Sequence, residues 1–93
     1  MITSFRSKAL RRLWEQGDGS KLPVSNVTRV ERILARLDAA AVPDDMNLPG
    51  YRFHGLHGKP KRFAVDASGN YRVTFAWDNA VGDAIDVDIE DYH

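Results

Sequence analysis

The spacing of apolar residues changes once along this chain, and the change divides it in two. Up to about Pro43 they recur every three or four residues; after Gly50 they recur every second residue. Phe5, Ala9, Leu10, Leu13 and Trp14 predict a helix over residues 7–16, with Gly17 as the residue that ends it. Val27, Val30, Leu34, Leu37 and Ala41, widened by Ile33, predict a second helix that Pro43 stops. Ser25 is the better N-cap and Asn26 the alternative. A short basic connector makes the two an antiparallel hairpin.

The later part reads as strands. Tyr51 and Phe53, Phe63 and Val65, Tyr71 to Trp77, and Ile85, Val87 and Ile89 each place apolar residues on odd positions and polar ones between them. Residues 68–70 and 78–82 are turn-forming. Residues 1–5 predict one further, very short strand with Ile2 and Ser4 in register. The expected fold is α+β: a two-helix hairpin packed on one face of an antiparallel four-stranded meander. The hairpin covers the odd face. The even face stays open and gathers Arg52, His54, Arg62, Asp66, Arg72, Thr74, Asp86, Asp88, Glu90 and Tyr92. By parity Asp91 and His93 point the other way, unless the chain has left the sheet by then.

Composition narrows this picture. Ninety-three residues, 43% of them hydrophobic, suit one domain over residues 1–93 with one core. There is no cysteine, so thiolate chemistry and disulfides are excluded. Met1-Ile2-Thr3-Ser4-Phe5-Arg6 lacks the apolar run of a signal peptide, and no stretch suits a membrane span; a cytoplasmic protein is expected. The zero net charge conceals an asymmetry. Residues 1–62 hold 12 Lys/Arg against 6 Asp/Glu, and residues 63–93 hold 1 against 7. A basic half suits a polyanion, and it also suits neutralisation by the acidic half within the fold. Arg29, Arg32 and Arg36 line one ridge of the second helix, either as a solvated face or as a surface for RNA phosphates.

The chemistry concentrates on the even face and on the closing Asp91-Tyr92-His93. Histidine, with an ordinary pKa of about 6.5, serves as acid or base near neutrality. His54 and His93 are therefore the proton-transfer candidates, each weighed against a plain surface histidine. Tyr92 suits hydrogen bonding to phosphate or stacking on a base, or strand-end packing. Asp91 suits orienting a histidine, or capping the chain end. Arg72 has the planar fork for a phosphate; its competing role is a cross-strand pair with Asp86 or Asp88. Asp86, Asp88 and Glu90 alternate along one strand about 7 Å apart, without a histidine or cysteine at ligand spacing, so no metal site is read there.

At this point the residues resemble a known family, the HigB-type toxins of bacterial toxin–antitoxin systems, within the RelE/ParE superfamily. The resemblance is carried by Met1-Ile2-Thr3-Ser4-Phe5, by Tyr51-Arg52-Phe53-His54-Gly55-Leu56-His57-Gly58, by Tyr71-Arg72-Val73-Thr74-Phe75 and by Glu90-Asp91-Tyr92-His93. It implies a RelE-like ribonuclease fold, ribosome-dependent mRNA cleavage in the A site without a cofactor, and inhibition by a HigA-like helix-turn-helix antitoxin. The implied partners are thus the antitoxin, the 70S ribosome with its rRNA, and mRNA; DNA is met only through the antitoxin complex. By position, His54, Asp91, Tyr92 and His93 match the family's active-site set, and Arg72 a basic residue on its third meander strand. The family usually has Lys where this chain has His57, and often Trp at Tyr71. Lys59, Lys61 and Arg62 are alternative sources of the missing cation. Reversing Arg29, Arg32 and Arg36 to Glu is expected to abolish ribosome binding and to leave the fold intact. Two readings compete: a non-enzymatic ParE-like toxin that binds DNA gyrase, and a plain binding module.

Overall fold

The computed structural model describes residues 1–91. Helix α1 spans Lys8–Gln16. It begins where the Ser7 hydroxyl accepts the Leu10 N–H at 3.1 Å, and it ends where Gly17 adopts a left-handed φ of 71°. Just past this end, the Asp18 carboxylate accepts from Arg12 Nε at 2.7 Å and from Ser20 N at 2.9 Å. Those partners, Arg12 first, hold the Asp18 carboxyl well below the usual carboxylate range.

Helix α2 spans Val27–Ala39 and buries Val30, Ile33, Leu34 and Leu37. Its N-cap is Asn26, not Ser25: Asn26 Oδ1 accepts the Arg29 N–H at 3.1 Å. Asn26 stands immediately before the first helical residue, from where its side chain reaches that amide. Ala41, expected to extend the stripe, lies beyond the helix and is exposed; Ala40 is buried instead. The expected loop after it contains a 3-10 turn, Pro43–Met46, with Met46 fully buried.

The four strands are β1 (His54–Leu56), β2 (Arg62–Ser68), β3 (Tyr71–Asp78) and β4 (Asp83–Asp91), antiparallel in the order β1-β2-β3-β4. The expected meander is therefore present. Tyr51 and Arg52 precede β1 rather than belonging to it, and Arg52 has a φ of 49°. The N-terminal segment runs parallel beside β4 through single bridges at Ile2 and Phe5. Ser4 takes part through its carbonyl, which accepts the Val87 N–H at 3.1 Å.

Both helices lie against the odd face. Leu10, Leu13, Val30, Ile33, Leu34 and Leu37 form one cluster with Val65, Ala67, Val73, Phe75 and Val87. Strict parity fails in β4. Thr74 pairs with Asp88 but Ala76 pairs with Ile85, so Phe75 faces two residues, and Asp86 sits at this bulge with a φ of 51°. The extra residue exchanges the faces. Ala84 before the bulge and Val87 and Ile89 after it join the core cluster, whereas Ile85 does not. Among the described residues, no helix is long and apolar enough to cross a membrane.

Candidate active site

On the open face the pairing brings the expected residues into rows. His54, Ala64, Thr74 and Asp88 form one row across the four strands, and Asp66, Arg72 and Glu90 form the next. At the usual strand spacing, His54 stands about 10 Å from Thr74 and about 14 Å from Asp88.

His54 begins β1 and is half-buried. Its Nδ1 lies 2.8 Å from the Arg52 carbonyl oxygen. A carbonyl only accepts, so Nδ1 carries a proton, and the lone pair of the neutral form of the ring falls on Nε2. The left-handed turn at Arg52 places that carbonyl two residues before the ring. Arg52 itself is exposed, with Nε 3.6 Å from an Asp66 carboxylate oxygen.

Arg62 is turned inward. One nitrogen, Nη2, donates to Thr74 Oγ1 at 2.9 Å and to the Asp86 carbonyl at 2.8 Å. Its Nε and Nη1 are sealed from solvent without a hydrogen-bond partner among the described residues. Burial lowers its pKa from the usual arginine value, and the Arg6 charge adds to this, while Glu90, Asp88 and Asp86 oppose it. Thr74, fully buried on the nominally open face, donates its own hydroxyl hydrogen bond to a Glu90 carboxylate oxygen. Arg62 is thus a cation held among the β4 acids, with its bonded nitrogen turned into the protein.

The remaining cations separate. His57, Lys59 and Lys61 are exposed in the segment between β1 and β2. Lys61 leans away from the open face, with Nζ 5.3 Å from the centre of the Phe63 ring. Arg72 is half-buried at the centre of its row. Asp91 is still within β4, opposite Tyr71, and exposed beyond Ile89. The expected roles of Tyr92 and His93 lie outside the described residues.

The α2 ridge also divides. Arg29 Nη2 donates to the Gly50 carbonyl at 2.8 Å and the Asp66 carbonyl at 3.1 Å, with its guanidinium 5.2 Å from the Tyr51 ring centre. It clamps the segment before β1 onto β2. A reversal at Arg29 is therefore expected to disturb the fold, which narrows the ribosome-binding expectation to Arg32 and Arg36. Arg32 and Arg36 are exposed and line, with Arg29 and Tyr51, a groove of about 360 Å³.

Pattern reading gathered Arg62, Thr74 and Glu90 on one face but did not connect them. The signal was there: threonine at the centre of a strand otherwise rich in large apolar residues, with acids of the same parity nearby. The inward turn of Arg29 had no signal, because its partners are backbone carbonyls remote in sequence.

Two helices on one face of an antiparallel meander, with histidine and arginine on the other, are consistent with the class of small toxins with a RelE-like fold. Over residues 3–93 the chain matches the family described as RelE-like toxin of type II toxin–antitoxin system HigB. It is 35% identical to Endoribonuclease HigB of Proteus vulgaris, over 94 residues that cover the whole of both chains. The chain belongs to the HigB-like toxin family. Membership in a type II system implies an antitoxin as partner.

Proposed function

We propose that this toxin is a ribosome-dependent endoribonuclease that cuts mRNA in the A site, and that His54 is its general base. The observation that carries the base assignment is the bond from Nδ1 to the Arg52 carbonyl, which leaves Nε2 as the proton acceptor. The relative from Proteus vulgaris, an endoribonuclease by name, supports the reaction class.

In this reading Nε2 of His54 takes the proton from a ribose 2′-hydroxyl. The 2′-oxygen attacks the adjacent phosphorus, the bond from phosphorus to the 5′-oxygen breaks, and a 2′,3′-cyclic phosphate and a 5′-hydroxyl end result. Arg72 stabilises the charge that grows on the phosphate. The proton for the departing 5′-oxygen comes from the closing Asp91-Tyr92-His93, where His93 is the imidazole and Asp91 and Tyr92 orient it and the substrate. His57 and Lys59 meet flanking phosphates. Arg32 and Arg36 dock on ribosomal RNA, and a HigA-like antitoxin neutralises the toxin.

The test uses purified protein, bacterial ribosomes stalled on a defined mRNA, and primer extension to map new 5′ ends. Cuts within the A-site codon are expected with the wild type. His54→Ala should lower the cleavage rate by about 100- to 10,000-fold, and a variant lacking His93 should be comparably impaired. Full activity of His54→Ala would overturn the base assignment. A wild-type protein that binds ribosomes without cutting would overturn the nuclease reading, and breaks in DNA with intact mRNA would replace it by a topoisomerase target.

A further inference from the structure

Arg62, Thr74 and Glu90 lie on three adjacent strands of the open face, and their hydrogen bonds run in one direction. The Arg62 guanidinium donates to the Thr74 hydroxyl, and the Thr74 hydroxyl donates to the Glu90 carboxylate. A hydroxyl has one proton to give. Because Arg62 can only donate, that proton is directed to Glu90. The same Arg62 nitrogen also holds the Asp86 carbonyl at the β4 bulge. β4 is therefore held from β2 at the bulge and from β3 at Glu90, the residue before Asp91-Tyr92-His93. Glu90 also stands directly across from Arg72.

We propose that the line Arg62 to Thr74 to Glu90 is a positioning relay for the nuclease site. It fixes the β4 end that leads into Asp91-Tyr92-His93, and fixes the acid opposite Arg72. None of the three needs to touch RNA for this role. The line is buried at its centre, where Thr74 has no exposed surface. A hydrogen bond sealed from water holds its geometry better than an exposed one. Arg62 also stands among Asp86, Asp88 and Glu90, and lessens the repulsion these acids present to a phosphate. The inference rests on the nuclease reading above, and it adds residues to that reading that act only through others.

Single-turnover cleavage on programmed ribosomes, co-sedimentation with ribosomes, and thermal melting test the relay together. Thr74→Val keeps the shape of the side chain and removes the hydroxyl. It should slow cleavage by about 100-fold, while ribosome affinity stays within about twofold. Thr74→Ser restores the hydroxyl and should recover the rate to within about threefold of wild type. Glu90→Met should resemble Thr74→Val. The double variant should be no slower than the worse single one, since both break the same line. A folded Thr74→Val that cuts at the wild-type rate, an equal loss in Thr74→Ser, or losses that multiply in the double variant would each overturn the proposal. If Thr74→Val melts below the assay temperature, Glu90→Met decides: a wild-type rate there overturns it. A wild-type protein that does not cut overturns the nuclease reading instead, and the relay with it.

Discussion

The two faces of this sheet are held by different forces, and neighbouring residues of β3 display the contrast. Phe75 belongs to an aromatic ladder on the covered face. Its ring centre lies 5.6 Å from that of Phe63 and 6.4 Å from that of Trp77, and Phe63 lies 5.6 Å from Phe53. Thr74, one residue earlier, belongs to the hydrogen-bonded line on the other face. The ladder runs from Phe53, just before β1, over β2 and β3, and the line runs over β2, β3 and β4; Phe75 in the one and Thr74 in the other are fully buried. Apolar contact has no direction, so the ladder depends on area and volume. The line depends on which atom donates and which accepts, so a substitution of equal volume breaks it. One face supplies stability that tolerates rearrangement. The other holds a geometry that does not.

That contrast is open to attack. Phe75→Ala should have the largest effect on stability, about 3–5 kcal/mol by denaturant unfolding. Phe75→Leu should retain most of the fold and the full cleavage rate per folded molecule. A rate loss as large as that of Thr74→Val would show that the faces are not separable. Arg29→Met probes the seam between helix and sheet. It should cost about 1–3 kcal/mol, because the Gly50 and Asp66 carbonyls lose their donor. A stability equal to wild type would return Arg29 to the solvated ridge. Asn26→Ala should cost about 1 kcal/mol and Ser25→Ala only a few tenths, a difference that thermal melting resolves. The smallest effect belongs to Asp18→Asn. The Asp18 pKa is depressed in the folded state, so its contribution is present at neutral pH and above the ordinary carboxylate value. It is lost as pH falls through the lowered value. Melting curves of variant and wild type should differ slightly at pH 7 and converge in strong acid. A gap that widens in acid would refute the assignment.

The helices and the meander were legible because both rest on local periodicity. Leu10 and Leu13, and Val30 to Leu37, sit on stripes that admit only one buried side. The open face was legible for the same reason. His54, Arg72, Thr74 and Glu90 were placed together by parity alone. Parity failed where backbone geometry changed the count, at the Asp86 bulge, which moved Ile85 off the core side and Ala84 onto it.

The amino-acid sequence by itself determined the two helical stripes, the four strands, the side that most residues of β2 and β3 face, and the family motifs. Each of these follows from spacing along the chain or from residue identity. Only the tertiary structure decided which arginines are structural. Arg29 and Arg62 both spend a guanidinium nitrogen on carbonyls at least 20 residues away, whereas Arg32 and Arg36 stay exposed. It likewise decided the tautomer of His54, through the Arg52 carbonyl. The physical reason is the same in each case. A polar side chain is committed by the donors and acceptors that folding brings to it, and such partners leave no period in the sequence.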